Sequence, residues 1–367
     1  MGLFSKNTDE GNLTPGAVIE ALKTVKDPDL NKDLVSLDMI KDVKVEGSNV
    51  SFSVVLTTPA CPMKAKIKED CEKAVSQVPG VENININMTA NTAAHHGQPE
   101  KIAVPGVKNI FAVSSGKGGV GKSTVAVNLA LALKETGAKV GLMDADAYGP
   151  NVPQMLGLTE APMSDGNRVY PPEILGMHVI SVGLIAKGDM PVIWRGPMIH
   201  SLIQQFLRDV EWGELDYLVV DMPPGTGDAQ LSLSQLVPLT GAVMVTTPQE
   251  VAQADVRRAI MMFRKVEVPV LGVVENMAYF ICPDNGKKYE IFGRGGSEKL
   301  AKEYDIPQLG HIPIDPRITE GGDAGKPIVA ADPESDLAKS FIEVAGMVAQ
   351  QISIANKMNT SLPIMNQ

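Results

Sequence analysis

The chain has 367 residues, 44 % apolar and 21 % charged, which excludes a disordered, collagenous or fibrous polypeptide and leaves room for two domains. It carries 33 Lys and Arg against 43 Asp and Glu, a net charge of -10 that argues against a protein held to nucleic acid by its charge. Three cysteines do not make a disulfide framework and fit a reducing compartment. Residues 1–10 are polar and lack the apolar core of a signal peptide, and Lys6 stands where a myristoylation pattern needs Ser or Thr. The longest uncharged stretch, residues 229–249, holds Ser, Gln, Thr and two prolines, so it reads as helix, loop and strand. The expectation is a cytoplasmic protein with neither a membrane nor a nucleic-acid partner.

Residues 14–23 read as a helix with Thr14 as N-cap and Pro15 in its first turn. Strands follow at 40–45 and 49–56, joined by Glu46-Gly47-Ser48; Val50, Phe52, Val54 and Leu56 alternate onto one sheet face. Residues 61–78 read as a helix opened by Pro62, and 81–88 as a third strand. This αββαβ order predicts a small α+β domain over residues 12–90. Residues 91–106 are small and polar, with two prolines and two glycines, and read as a linker in which His95 and His96 are solvated.

Beyond the linker, strands at 110–114, 140–144, 217–221, 242–246 and 270–274 alternate with helices at 122–135, 251–263, 297–303 and 337–355. Apolar strands alternating with helices predict an α/β domain over 107–355, with a mainly parallel sheet covered by helices on both faces. Residues 356–367 are left as a tail.

Gly116-Lys117-Gly118-Gly119-Val120-Gly121-Lys122-Ser123-Thr124 matches G-x-x-x-x-G-K-[ST], between an apolar strand and a helix. Its glycines let backbone N–H groups converge on phosphates at a helix N-terminus. Lys122 is expected on the β- and γ-phosphates, the Ser123 hydroxyl on Mg²⁺, and Thr124 close to the α-phosphate. Leu142-Met143-Asp144-Ala145-Asp146 ends the next strand; one carboxylate can anchor the Mg²⁺ shell and the other orient the attacking water, and the motif leaves the division open. Leu218-Val219-Val220-Asp221 is an apolar strand ending in a carboxylate, which places Asp221 on a water of the Mg²⁺ shell. Gly225, in Pro223-Pro224-Gly225-Thr226-Gly227-Asp228, is placed for its N–H to sense the γ-phosphate. The guanine-reading N-K-x-D motif is missing, which favours ATP.

The early Lys117 makes the loop K-G-G-x-G-K-[ST], which resembles the MinD/ParA/nitrogenase-iron-protein class of P-loop NTPases. The resemblance implies a homodimer with two ATPs between subunits, Lys117 reaching the partner's nucleotide, and Asp146 as the better water-positioning candidate. It also implies that Asn276 contacts adenine and that the stretch with Pro313 and Asp315 packs against it.

Asp144-Ala145-Asp146-Ala147-Tyr148-Gly149-Pro150-Asn151, Ile193-Trp194-Arg195-Gly196-Pro197-Met198, Asp221-Met222-Pro223-Pro224-Gly225-Thr226-Gly227-Asp228 and Glu275-Asn276-Met277 narrow this further. With the loop, they resemble the Mrp/ApbC family of iron–sulfur cluster carrier ATPases over residues 105–350. Asp27-Pro28-Asp29-Leu30 and Leu56-Thr57-Thr58-Pro59-Ala60-Cys61-Pro62 resemble the small iron–sulfur assembly domain often fused ahead of it. The resemblance implies slow ATP hydrolysis, transient binding of a cluster, and partners among assembly scaffolds and recipient apoproteins. The cluster is taken as [4Fe–4S], with [2Fe–2S] left open. Arg195 stays open between a phosphate or interface contact and a local helix cap.

The family commonly carries C-P-x-C, whereas this chain reads Cys282-Pro283-Asp284-Asn285. Two copies of Cys282 supply two thiolates where a cluster needs about four ligands. Cys61, read as opening a helix whose dipole stabilises a thiolate, is the added candidate, and Cys71 reads as a core residue. The alternative function is a MinD/ParA-type positioning ATPase or a nucleotide-switched scaffold without a cluster. A membrane-docking version is disfavoured because Lys339 and Lys357 are the only basic residues after Asp336. A nitrogenase-like electron donor is disfavoured because residues 221–228 hold no cysteine.

Overall fold

The computed structural model describes residues 13–28, 31–92, 94, 104–185 and 196–360, which divide into two units, Met1–Thr92 and Ala93–Gln367. Residues 1–10, Asp29 and Leu30, His95 and His96 with most of the linker, Ile193 to Arg195 and the tail past residue 360 lie outside the described residues.

In the first unit Thr14 caps helix Pro15–Leu22, its hydroxyl accepting from Ala17 N at 3.2 Å. Pro15 fits the first helical position because no intrahelical partner exists there for an N–H. Strands Ile40–Glu46 and Asn49–Leu56 form an antiparallel hairpin, and Asn83–Ala90 pairs parallel to Asn49–Leu56. The parallel pairing requires a crossover, which helix Lys64–Ser76 supplies. Val50, Phe52, Val54 and Leu56 are buried together with Val18, Leu22, Ile67, Cys71 and Val75, as the alternation predicts.

The second helix differs from the sequence reading. It starts at Lys64, not at residue 61. Cys61 N donates to Thr58 O at 3.3 Å and Lys64 N to Cys61 O at 3.2 Å, so Cys61 lies in a turn ahead of the helix. The turn takes up the chain after Thr58, whose hydroxyl accepts from Ala60 N.

In the second unit eight strands run in the order Gln308–His311, Val270–Glu275, Gly241–Thr246, Val107–Ser115, Leu215–Asp221, Val140–Asp144, Met177–Ser181 and Glu173–Ile174. All neighbours pair in parallel except the last two, which form an antiparallel hairpin. Alternate residues face opposite layers: Ile110, Ala112, Leu218 and Val220 pack with Phe206, Leu233, Ile260 and Phe263 of three helices. Phe111 and Tyr217 meet edge to face on the other side, with ring centroids 6.4 Å apart, where helices Lys122–Glu135 and Asp336–Thr360 lie. The mainly parallel, doubly covered sheet is the architecture expected.

Strands Met177–Ser181 and Gln308–His311 have no counterpart in the sequence reading. The first ends a hairpin whose turn residues, Leu175 and Gly176, both take positive φ, 51° and 75°. The C-terminal helix passes residue 355, the expected end of the domain, and runs to Thr360. Asn356, buried, donates through Nδ2 to Asn109 Oδ1 at 2.8 Å, which ties this last turn to the sheet. Among the described residues no helix is long and apolar enough to cross a membrane.

Phe341 is 1 % exposed and Met358 is 66 % exposed on the same helix. Phe341→Ala is expected to cost about 3–5 kcal/mol, and Met358→Ala under about 0.5 kcal/mol. Urea unfolding followed by tryptophan fluorescence distinguishes them, and equal midpoints for the two variants would contradict the packing described.

Candidate active site

The parallel strands end together on one edge of the sheet. Asp221 lies in register with Val113 on one side and Asp144 on the other, and Asp144 with Ser181. Two carboxylates with no exposed surface therefore end adjacent strands. The loop after Val107–Ser115 turns into helix Lys122–Glu135 through Gly121, whose φ of 81° is left-handed. That conformation suits glycine, and a Cβ on Gly121 would also fall on Asn276 Nδ2.

The first helical turn delivers Lys122 and Ser123 to the strand ends. Lys122 Nζ donates to Asp221 Oδ1 at 2.6 Å and to Ser123 Oγ at 3.1 Å, and lies 3.5 Å from Asp146 Oδ2. Ser123 Oγ donates to Asp221 Oδ2 at 2.6 Å. Lys122, Ser123 and Asp146 are each under 10 % exposed.

The geometry separates the two carboxylates that the motif left open. Asp144 Oδ1 accepts from Asp146 N at 3.1 Å and Oδ2 from the Ser181 hydroxyl at 2.7 Å. Asp146 Oδ1 accepts from Tyr148 N and Gly149 N, and Asp146 lines a cavity of about 350 Å³. Lys117, Gly118, Gly119, Gly121, Lys122, Ser123 and Thr124 line the same cavity. Burial and the nearby Asp221 charge push Asp144 up to about 8. Burial also pushes Asp221 upward, against the pull of Lys122. The Ser123 hydroxyl and the Asp146 carboxylate line the cavity, with the buried Asp221 carboxylate bonded to Ser123 behind them, and these hard oxygen donors fit Mg²⁺.

A second cavity of about 440 Å³ adjoins the first, sharing Gly121, Thr124 and Met155. Asn276, Met277, Phe292, Pro313 and Asp315 are among its walls. The structure thus brings Asn276, Pro313 and Asp315 to one pocket beside the phosphate loop. Asp315 also caps helix Pro316–Asp323 and is gripped by Arg317 at 2.8 and 2.9 Å, which holds its carboxyl below the usual range. Gly116 starts the loop in close approach to helix Glu250–Lys265, where a Cβ would strike the Asp255 backbone. Val120 is buried.

The Gly225 N–H donates to Ser115 O at 3.0 Å, which ties the loop after Asp221 to the start of the phosphate loop. Pro224 lines the cavity. Ser181 lies outside the sequence reading; Val179-Ile180 after a Leu-Gly turn is the signal available for its strand.

Cys282 sits half-buried in a tight hairpin made by Phe280–Ile281 and Lys288–Tyr289. Its N–H donates to Lys287 O and its carbonyl accepts from Gly286 N, both at 2.9 Å. Asn285 Oδ1 accepts from Lys287 N at 2.9 Å, so the residue in place of a second cysteine holds the turn. Cys61 is half-buried and Cys71 fully buried in the first unit, where burial pushes the Cys71 thiol up to about 12. A thiol so raised is a poor metal ligand.

Residues 106–349 match the family model described as NUBPL iron-transfer P-loop NTPase. The chain belongs to this family. Residues 16–87 match the model for iron-sulfur cluster assembly protein. The chain is 53 % identical over 349 residues to the iron-sulfur cluster carrier protein of Synechocystis sp., covering 94 % of this chain and 99 % of that one. A nucleotide-binding protein from Archaeoglobus fulgidus, solved with ADP, aligns at a TM-score of 0.58 and 39 % identity, over 67 % of this chain and 98 % of its own. The cell division ATPase MinD of Pyrococcus furiosus aligns at 0.51 and 26 %, over 65 % and 98 %. The resemblance drawn from the motifs holds over both units of this NTPase.

In the unfolded chain an Asp titrates near roughly 4. Between that value and about 8 the folded NTPase keeps a proton on Asp144 that the unfolded chain has released. Stability from this group is therefore present at low pH and lost as pH rises to about 8. Thermal midpoints of magnesium- and nucleotide-free protein, measured from about pH 5 to about pH 8.5, are expected to fall more steeply in the wild type than in Asp144→Asn. Parallel curves would remove Asp144 as the cause.

Proposed function

We propose that the protein is an ATP-binding, slowly ATP-hydrolysing carrier that holds an iron–sulfur cluster transiently and delivers it to apoproteins. The observation that carries the reading is one folded unit with both parts: a cavity of about 350 Å³ around Lys122, Ser123 and Asp146, and the Cys282 thiol in a hairpin. The carrier named among the relatives, matched along nearly its whole length, supports it.

Backbone N–H groups of residues 116–121 and the helix N-terminus cradle the phosphates, with Lys122 on the β- and γ-oxygens and Thr124 near the α-phosphate. Ser123 and Asp221 would hold Mg²⁺, which would supply positive charge against the phosphates. Asp146 orients the attacking water, while Asp144, bonded to Asp146 N, positions that turn. Water adds to the γ-phosphorus, the bond to the bridging oxygen breaks, and ADP and phosphate leave. The adenine lies in the adjoining cavity against Asn276, Pro313 and Asp315.

The working form is a cytoplasmic homodimer in which Lys117 reaches the partner's nucleotide. Cys282 from each copy ligates the cargo, taken as [4Fe–4S]. Assembly scaffolds and recipient apoproteins are the partners.

Lys117 is half-buried and lies outside the Asp221 network, so Lys117→Ala is expected to keep its fold. Its steady-state hydrolysis of ATP should fall by about 100-fold or more, as should that of Lys122→Ala, with Lys122→Ala also losing nucleotide affinity. Unchanged turnover in both variants would contradict the assignment.

Anaerobic cluster reconstitution, read by UV–visible and Mössbauer spectra, tests the cargo. A cluster is expected in wild type and in Cys71→Ala and is expected to be lost in Cys282→Ala. A wild type that hydrolyses ATP but takes up no cluster would sink the carrier and leave a nucleotide-switched scaffold.

A further inference from the structure

A second cluster of ligand-bearing side chains sits at the sheet edge, outside the phosphate site. Glu275 ends strand Val270–Glu275 and lies in register with His311, which ends the neighbouring strand Gln308–His311. Helix Gly296–Tyr304 carries Glu298 in its first turn. One carboxylate oxygen from each Glu and one ring nitrogen of His311 all lie within 4.8 Å of one another. None of the three lines either cavity at the phosphate loop.

Glu275 is 2 % exposed. Its Oε2 accepts from Ser297 N at 2.7 Å, and a Cβ on Gly296 would come within 3.0 Å of that oxygen, so the helix start closes directly on the carboxylate. Its Oε1 accepts no hydrogen bond among the described residues and lies 3.8 Å from His311 Nε2. Glu298 Oε1 lies 3.3 Å from the same nitrogen. Gln308 Nε2 is 2.8 Å from both Ser297 Oγ and His311 Nε2. An amide NH₂ only donates, so the ring nitrogen that meets it is the unprotonated one.

Two carboxylate oxygens and an imidazole lone pair thus converge. Among the described residues neither Glu has a Lys or Arg within 4.0 Å, so no fixed cation balances them. A buried carboxylate is costly unless it is paired or coordinates a metal. Donors at about 2.0–2.2 Å from a tetrahedral ion stand about 3.3–3.6 Å apart. The separations of 3.3 and 3.8 Å match that spacing to a few tenths of an ångström, and the longer one exceeds a hydrogen bond. Mg²⁺ and Ca²⁺ take oxygen donors, whereas an imidazole beside carboxylates suits a transition ion.

We infer that Glu275, Glu298 and His311 form a binding site for one divalent transition-metal ion of the Zn²⁺ or Fe²⁺ class, separate from the nucleotide's Mg²⁺ and from the thiols. On binding, Gln308 gives up the ring nitrogen and keeps Ser297 Oγ. The ion joins two strand ends to the first turn of helix Gly296–Tyr304. The His311 and Glu298 side chains are 37 % and 49 % exposed, which leaves a path from solvent.

Co²⁺ is the probe, because thiolate ligands give it an intense charge-transfer band that nitrogen and oxygen ligands do not. The full chain, reduced and stripped with chelator, is dialysed against Co²⁺ in excess Mg²⁺, which occupies the phosphate site. Wild type is expected to bind one Co²⁺ per chain at its tightest site, with d–d bands, no thiolate band and a raised thermal midpoint. Cys282→Ala should do the same. His311→Ala and Glu298→Gln should bind about tenfold or more weakly and lose the thermal gain. Both positions are partly exposed, so these two variants decide the matter if the buried Glu275→Gln does not fold; thermal unfolding without metal controls for folding. Wild type that takes up no Co²⁺, affinities within twofold of wild type in both His311→Ala and Glu298→Gln, or loss of the ion in Cys282→Ala would overturn the inference. None of these outcomes bears on ATP binding or on the cluster.

Discussion

Two carboxylates, Asp144 and Asp221, end adjacent strands with no surface exposed to water. A charge so buried is costly unless it is paired and hydrogen-bonded. Much of the local structure answers that demand. Lys122 and Ser123 reach Asp221 because the loop after Val107–Ser115 rises over the sheet edge and enters a helix at once. Ser181 and the Asp146 N–H satisfy Asp144. The Asp221 charge also raises Asp144, and the Asp146 charge raises Asp221, so the edge is electrically short of positive charge. Such an edge favours a divalent ion and the phosphates that travel with it.

The same edge explains why the glycines stand where they do. Gly121 is held between its left-handed backbone and the Asn276 amide. Gly116 passes so close to helix Glu250–Lys265 that a side chain would collide with the Asp255 backbone. The loop is thereby shaped from two sides, by a strand end and by a helix, before any ligand arrives. Preorganisation of this kind reduces the cost of ordering a loop on binding.

The thiols divide by environment. Cys71 is a packing residue of the first unit, its ionisation suppressed by burial. Cys282 is half-buried in a short hairpin whose turn is closed by backbone bonds and by the Asn285 side chain. Asn285 thus has a structural task at the position where the resemblance leads one to expect a second thiol. Ile281, Tyr289 and Ile291 flank this hairpin and are more than 40 % exposed.

The amino-acid sequence by itself determined the phosphate loop, the strand-ending carboxylates and the order of the main elements. These are local signals: glycine spacing, apolar runs and a lysine–serine pair are set within a few residues. The β-alternation of residues 50–56 belongs to the same class and reads correctly. Pro62 misled because a proline marks a helix start only to within a turn, and Thr58 drew the preceding residues into their own turn. Strands Met177–Ser181 and Gln308–His311 are only 5 and 4 residues long and gain their identity from neighbours across the sheet. The different partners of Asp144 and Asp146, the engagement of the Gly225 N–H by Ser115, and the bond from Asn276 to Val120 were decided by tertiary structure. Each depends on which atom of one segment meets which atom of another far along the chain. Hydrogen bonds are directional at the scale of tenths of an ångström, and that information exists only once the strands have taken their register.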